Sequence, residues 1–239
     1  MKAHQRLIRE EKGQQVNRPV VPLSLCRVEP ITREQAEAVI LEYEWLGTMP
    51  TGYRCAYGLV GPDDEVLGAS VFANPPGSNS AALCGEEHRS KVVCLARGAC
   101  VPWSHEHAPS YQTAVACKMA RRDHGWQIFV GYSDERAGEI GTIYQACNWV
   151  YLGVARKGGR KVWVLPNGDR LSTRAARSRY PEMKPITMEK MAPLGWSQEQ
   201  EPDKARYVWF EGSKTDKKRL RRALRYPAQP YPKRRHDYD

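Results

Sequence analysis

Three polar residues are spaced so that a strand–helix–strand unit would gather them at one end. Arg97 closes the apolar segment 91–97, Asp134 follows the segment 127–132, and Ser110 falls in the first turn of the helix expected between them. Strands joined through a helix lie parallel, so their carboxyl ends and the helix amino terminus share the side where open α/β sheets bind ligands. An arginine there can clamp a carboxylate or stabilise developing negative charge. An aspartate beside an amino group can accept its proton or position it. The plainer alternatives are an inter-strand Arg97–Asp134 salt bridge and a local helix cap by Ser110. Tyr144, ten residues beyond Asp134, sits on a short segment, 141–148, that begins with a glycine. It is either a cleft tyrosine or a core aromatic with its hydroxyl satisfied.

Several neighbours are candidates for the same site. Tyr43, Glu44 and Trp45 end the first predicted helix ahead of Gly47, and Trp45 could stack on a base, worth roughly 1–3 kcal/mol, or anchor the helix end in the core. Tyr132, Ser133, Gln145 and Asn148 flank Asp134 and Tyr144 and are candidate substrate contacts. Ser104-His-Glu-His107 offers two imidazoles and a carboxylate. Glu44, His105 and His107, with Asp134 and Tyr144, could make a mixed N/O site for iron or another first-row metal. A solvated polar loop is the favoured reading of that tetrapeptide.

The elements that must position these residues are legible in outline. Residues 1–25 read as an amino-terminal arm, and 26–29 as a short strand. Thr32-Arg-Glu-Gln35 is a capping box that opens a helix with Ala36, Val39, Ile40 and Tyr43 on its apolar face. Segments 54–60 and 66–73 read as a hairpin about the loop 61–65, and 74–90 as a loop. Tyr111, Val115 and Met119 recur at spacing four and predict the apolar face of a helix over 109–122. After the 141–148 helix, 150–155 and 161–166 continue the sheet, with Asn167-Gly168 as a turn. Residues 171–183 are basic and helix-compatible, 185–203 irregular, and 205–210 a final strand. The fold class is mixed α/β. The expected domains are the arm 1–25, a catalytic domain 26–170 and a basic extension 171–239 packed on it.

Composition narrows the partners. The net charge of +10 is lopsided: residues 156–239 hold 22 Lys+Arg against 10 Asp+Glu, while 1–155 hold 15 against 17. Such asymmetry suggests a polyanion, most simply double-stranded DNA, although a solvated basic surface gives the same count. Candidate phosphate contacts are Arg174, Arg177 and Arg179, then Lys217, Lys218, Arg219, Arg221 and Arg222, and finally Lys233 and Arg234. No run of 18 apolar residues exists, and the charged start lacks the apolar core of a signal peptide, so neither a membrane span nor secretion is expected. Seven cysteines without CxxC spacing predict small buried hydrophobes in a reducing compartment rather than a zinc site.

Tyr132-Ser-Asp134, Gly141-Thr-Ile-Tyr-Gln-Ala146 and Asn148-Trp-Val-Tyr-Leu-Gly153 resemble the Mom family of bacteriophage DNA-modification proteins. Arg206-Tyr-Val-Trp-Phe210 and Pro230-Tyr-Pro-Lys-Arg234 extend the resemblance, which otherwise covers about residues 27–165. It implies a GNAT-like sheet whose two central parallel strands splay apart, with helices on both faces. It also implies transfer of a carbamoylmethyl group to the adenine N6, protecting phage DNA from restriction in the host cytoplasm. Arg97, Ser110, Asp134 and Tyr144 would be catalytic, with Tyr144 resembling the GNAT general acid. Glu44-Trp45 departs from the family's His-Tyr pair, so either Glu44 takes over any role of that histidine or the role lies elsewhere. The glycine-rich pyrophosphate loop of acyl-CoA enzymes is absent, its place taken by the glycine-free stretch 101–108. Acyl-CoA is therefore not supported. A glycine-derived donor and iron are the cofactor candidates, and a homodimer is among the assemblies allowed. The alternatives carried are a conventional GNAT N-acyltransferase and a non-catalytic DNA-binding protein.

Overall fold

A computed structural model of the chain describes residues 18–134, 138–155, 159–201 and 203–233, except for the side chains of 174, 175 and 178. The chain forms two compact units, Met1–Gly153 with Ala205–Asp239, and Val154–Lys204.

The larger unit is built on a seven-stranded mixed sheet. Its strands are β1 (Arg27–Ile31), β2 (Tyr53–Val60), β3 (Val66–Ala73), β4 (Val92–Cys100), β5 (Ile128–Ser133), β6 (Val150–Val154) and, late in the chain, β10 (Ala205–Phe210). The order across the sheet is β1-β2-β3-β4-β5-β10-β6. Helix α1 (Arg33–Tyr43) starts at the expected capping box: Gln35 N donates to the Thr32 hydroxyl (3.2 Å) and Thr32 N to the Gln35 side chain (2.9 Å). β2 and β3 form the expected hairpin, and α2 (Ala108–His124) crosses between β4 and β5, which pair parallel from Val92↔Ile128 to Leu95↔Gly131.

The face of α2 differs from the expected one. Tyr111 is exposed, and the buried row is Ala108, Gln112, Thr113, Ala116, Cys117 and Ala120. The sheet supplies the bulk here, through Tyr57, Phe72, Phe129 and Trp149, so small residues let the helix lie close. Gln112 is tolerated because its amide donates to the Ser70 hydroxyl (2.9 Å). All seven cysteines are free thiols, and Cys84, Cys94, Cys100 and Cys117 are buried.

β10 corrects the expected division at residue 170. Its buried residues lie between β5 and β6 in the main sheet, in register from Ala205↔Ser133 to Phe210↔Ile128. What reads as an extension is therefore interrupted: 154–204 is an insertion, and 205–233 returns to the main unit. The insertion holds β7 (Arg160–Val164), β8 (Arg170–Ser172) and β9 (Ser197–Glu201) in a separate sheet, ordered β8-β7-β9. β7 therefore does not continue the large sheet, and the stretch 185–203, expected to be irregular, supplies a strand. Helices α4 (Thr173–Arg179) and α5 (Met188–Met191) accompany it, around a core of Trp163, Leu165, Ala176, Ile186, Met191 and Trp196. Glu201 is buried here because Arg170 (3.0 Å) and Arg160 (3.5 Å) both face it.

Three further helices belong to the larger unit: a single turn at Ser78–Ala81, within the stretch 74–90 expected to be a loop, α3 (Thr142–Ala146), a single turn after β5, and α6 (Lys214–Ala223), after β10. Among the described residues no helix is long and apolar enough to cross a membrane.

Candidate functional site

The parallel pairing of β4 and β5 stops at Leu95↔Gly131. Beyond it β4 stays with β3, after a bulge that places Arg97 opposite Val71 and Leu95 opposite Phe72, while Tyr132 and Ser133 stay with β10. A bulge bends one strand away from its neighbour. The two strands splay as the resemblance implies, and a cleft of ≈ 360 Å³ opens between them. Its walls are residues 95–98 of β4, Tyr132 and Ser133 of β5, residues 138–144, and Pro109 and Thr113 of α2, with Glu44 and Glu106 at its edge.

Arg97 and Tyr144 both line this cleft. The Arg97 guanidinium donates to Thr48 O (2.7 Å) and to Ala96 O (2.7 Å), and the carboxylate it meets is Glu44, at 3.8 Å. Glu44 caps the end of α1, accepting from Leu46 N (3.0 Å), and is buried. The Arg97 ion pair thus runs to α1 and not across to Asp134. Asp134 is itself buried just past β5 and is not among the residues that line the cleft; its carbonyl accepts from Glu139 N (3.2 Å).

The Tyr144 ring lies over Gly131 and packs against Trp149 (4.9 Å between centroids) and Tyr207 (5.1 Å, nearly parallel). Burial pushes its phenol well above the usual tyrosine range, because the phenolate would lose its hydration there. The backbone is shaped around these rings. A Cβ on Gly131 would come within 2.6 Å of the Tyr144 ring. Gly131→Ala should therefore destabilise by about 1–3 kcal/mol, lowering Tm by roughly 2–12 °C. Gly98→Ala, whose added carbon would meet only Ala69 O at 3.9 Å, should leave Tm nearly unchanged; thermal unfolding of both variants checks the contrast.

The other expected residues divide. Tyr132 lines the cleft with its hydroxyl 2.5 Å from Ser80 Oγ, and burial raises its phenol to about 12. Ser133 also lines it, and its buried Oγ has no hydrogen-bond partner. Ser110 instead donates to His107 O (3.0 Å) within its own turn, as a local cap would. Tyr43 packs edge-on against Trp103, and Trp45 is half-buried beyond α1, outside the cleft walls. Gln145 ties Ile140 O (2.8 Å) to Pro232 O (3.3 Å), and Asn148, at φ 57°, ends α3. The Gln145 bonds hold the Tyr144 helix in place. Tyr231 helps them, donating to Trp149 O (2.7 Å).

The metal reading finds no support in this geometry. His105 Nδ1 accepts from His107 N (3.1 Å), and His107 is exposed beside Glu106. Among the described residues no three His, Cys, Asp or Glu side chains converge as metal ligands, so no step is routed through iron. Of the expected phosphate contacts, Arg179 pairs with Asp169 (2.8 Å), Lys217 with Glu211 (3.6 Å) and Arg219 with Asp216 (3.0 Å). Arg177, Lys218, Arg221, Arg222 and Lys233 are exposed. Arg234 and the Arg174 side chain lie outside the described residues. Sequence reading missed Gly131, Thr113 and Glu139. A lone glycine in a buried strand marks a close approach, so Gly131 carried a usable signal.

Comparison with known proteins follows the same lines. Three solved structures are similar in shape. The Bacillus subtilis acetyltransferase in complex with CoA shares 12% identity over 78% of this chain and 99% of its own, with a TM-score of 0.44. A GNAT family acetyltransferase from Elizabethkingia anophelis with acetyl-CoA bound shares 10% over 78% and 99%, TM-score 0.40. The Vibrio cholerae spermidine N-acetyltransferase shares 6% over 78% and 94%, TM-score 0.43. No curated protein matches. The Mom protein family matches residues 25–233, and with nearly the whole described chain inside that match, the protein belongs to the Mom family.

Proposed function

We propose that the chain is a DNA-modification enzyme that transfers a carbamoylmethyl group to the N6 amino group of adenine, acting in a phage-infected host cell. The observation that carries this reading is the splayed-strand cleft of a Mom-family chain, with Arg97 and Tyr144 on its walls. The cleft is concave and small, so a base would enter it only when swung out of the duplex. The amine nitrogen would bond to the donor's methylene carbon as the leaving group departs. Asp134, buried next to the wall residue Ser133, is the group proposed to take the N6 proton, and the Tyr144 phenol, a hydroxyl donor on the cleft wall, to protonate the leaving group. Arg97, held by Thr48 and Ala96 carbonyls, would stabilise charge that develops on the donor. A modified N6 edge changes the major-groove pattern that restriction endonucleases read. DNA from cells expressing the chain should therefore resist cleavage by enzymes with adenine in their sites, and full digestion would count against the proposal.

A second reading has its own support. Among the described residues Glu44, Glu106 and Glu139 border the cleft beside the guanidinium of Arg97, a balance that suits a cationic amine, as in a conventional N-acyltransferase. A thermal-shift titration with acetyl-CoA separates the two. Stabilisation would favour the acyltransferase, and none is expected, because α2 begins at Ala108-Pro109 with no glycine to open its amides to a pyrophosphate.

A further inference from the structure

Helix α6 concentrates charge on one side. Its cations at 214, 217, 218, 221 and 222 recur at spacings of three and four and form one stripe, continued by Arg225. Leu220, the one buried residue of the helix, anchors another side, where it joins the cluster of Leu83, Val130, Val208 and Phe210. The amino end is closed by its own capping box, Ser213 with Asp216, so the helix offers its flank and not its terminus. Lys217 is partly engaged, by Glu211 and the Trp209 ring. Among the described residues Lys214, Lys218, Arg221 and Arg222 meet no carboxylate. From Lys214 to Arg222 the stripe runs about 12 Å at helical rise. Each strand of a duplex presents a phosphate about every 3.4 Å of its axis, so the stripe spans three or four.

The stripe leads towards the cleft. After α6 the chain is fixed by Arg225 N on Leu83 O (2.9 Å), and the Tyr226 ring then takes the guanidinium of Arg206 at 3.8 Å. Arg206 pairs in register with Tyr132, a wall of the cleft. Arg206 is 3% exposed, meets no carboxylate among the described residues, and its Nε has no hydrogen-bond partner. Stacked on this ring and acting on the Tyr132 hydroxyl, the Arg206 charge adds positive potential at this edge.

We infer that the α6 stripe, continued by Arg225 over the buried charge of Arg206, is the docking face for the phosphate backbone of the duplex whose base enters the cleft. The inference rests on the DNA-modification reading and adds where the duplex lies. The test is fluorescence anisotropy of a labelled duplex over a salt series. The wild-type chain is compared with the quadruple variant Lys214→Gln, Lys218→Gln, Arg221→Gln, Arg222→Gln. Losing four phosphate contacts should flatten the log–log salt slope by about 3–4 units and weaken binding about 100-fold or more at 0.1 M salt. A charge-preserving set (Lys214→Arg, Lys218→Arg, Arg221→Lys, Arg222→Lys) should keep the wild-type slope, which guards against a mere folding defect. Equal slopes and affinities for wild type and the Gln variant would overturn the inference, as would a wild-type chain that binds no duplex. Nucleoside analysis of DNA from the same cells keeps the two readings apart. Modified adenine with an unaltered salt slope sinks only the docking face, and unmodified adenine sinks the enzymatic reading.

Discussion

Tyr144→Phe should leave the chain folded and remove its modifying activity by about 10²–10⁴-fold, the range for loss of one general acid. The ring is held by Trp149, Tyr207 and the bare backbone of Gly131, and Phe keeps all three contacts. Only the hydroxyl goes. A change in Tm of no more than a few degrees together with that loss of activity identifies a chemical role. Full activity in a folded variant would return Tyr144 to the core as a packing residue. Thermal unfolding and quantification of modified adenine, on the same preparations, decide between them.

Arg97→Ala should cost both stability and activity, and the two losses should come apart in a double variant. Its guanidinium fixes the start of the splay through the Thr48 and Ala96 carbonyls and stands 3.8 Å from buried Glu44. Removing it takes the Arg97 cation away from a buried carboxylate that keeps its bond from Leu46 N. A fully buried pair loses about 3–5 kcal/mol in this way. Arg97 is 18% exposed and the separation is long, so roughly 1–3 kcal/mol is expected here. Glu44→Gln in the Arg97→Ala background should restore part of the stability, because the buried charge that Arg97 faced is gone. Activity should stay down by about 10²–10³-fold, the scale for loss of one preorganised electrostatic group. Recovery of activity along with stability would show that Arg97 acts only as a strut. Denaturant unfolding and a modification assay across the four members of the cycle measure both terms.

The chain states some of this architecture openly and hides the rest for physical reasons. Thr32 and Gln35 announce α1 because a capping box is a local hydrogen-bond pair that needs no tertiary context. The β4–α2–β5 unit is legible because apolar segments joined by a helix have few other ways to pack. The face of α2 is not, since Tyr111, Val115 and Met119 have the spacing but the sheet already carries the volume, and alanines win the buried side. The bulge at Ala96 that opens the cleft leaves no mark in the segment 92–100, so the splay enters only through the family resemblance. The inserted sheet was missed because β7 and β9 pair with each other and not with their neighbours in the large sheet, a choice set by long-range register. Within the site, Arg97, Tyr132, Ser133 and Tyr144 do share one cleft, with Glu44 at its edge. Gln145 carries an equally polar side chain but spends it on the carbonyls of Ile140 and Pro232, a distinction that residue type cannot make.

The central claim, that this cleft modifies adenine in DNA, is met most directly by mass spectrometry of nucleosides from cells expressing the wild-type chain and, in parallel, Tyr144→Phe. The account predicts a heavier adenine nucleoside, with a mass consistent with one added carbamoylmethyl group, in the wild-type sample and its near-absence with the variant. Unmodified adenine from cells holding soluble, folded wild-type protein, in a host able to supply the donor, would contradict it.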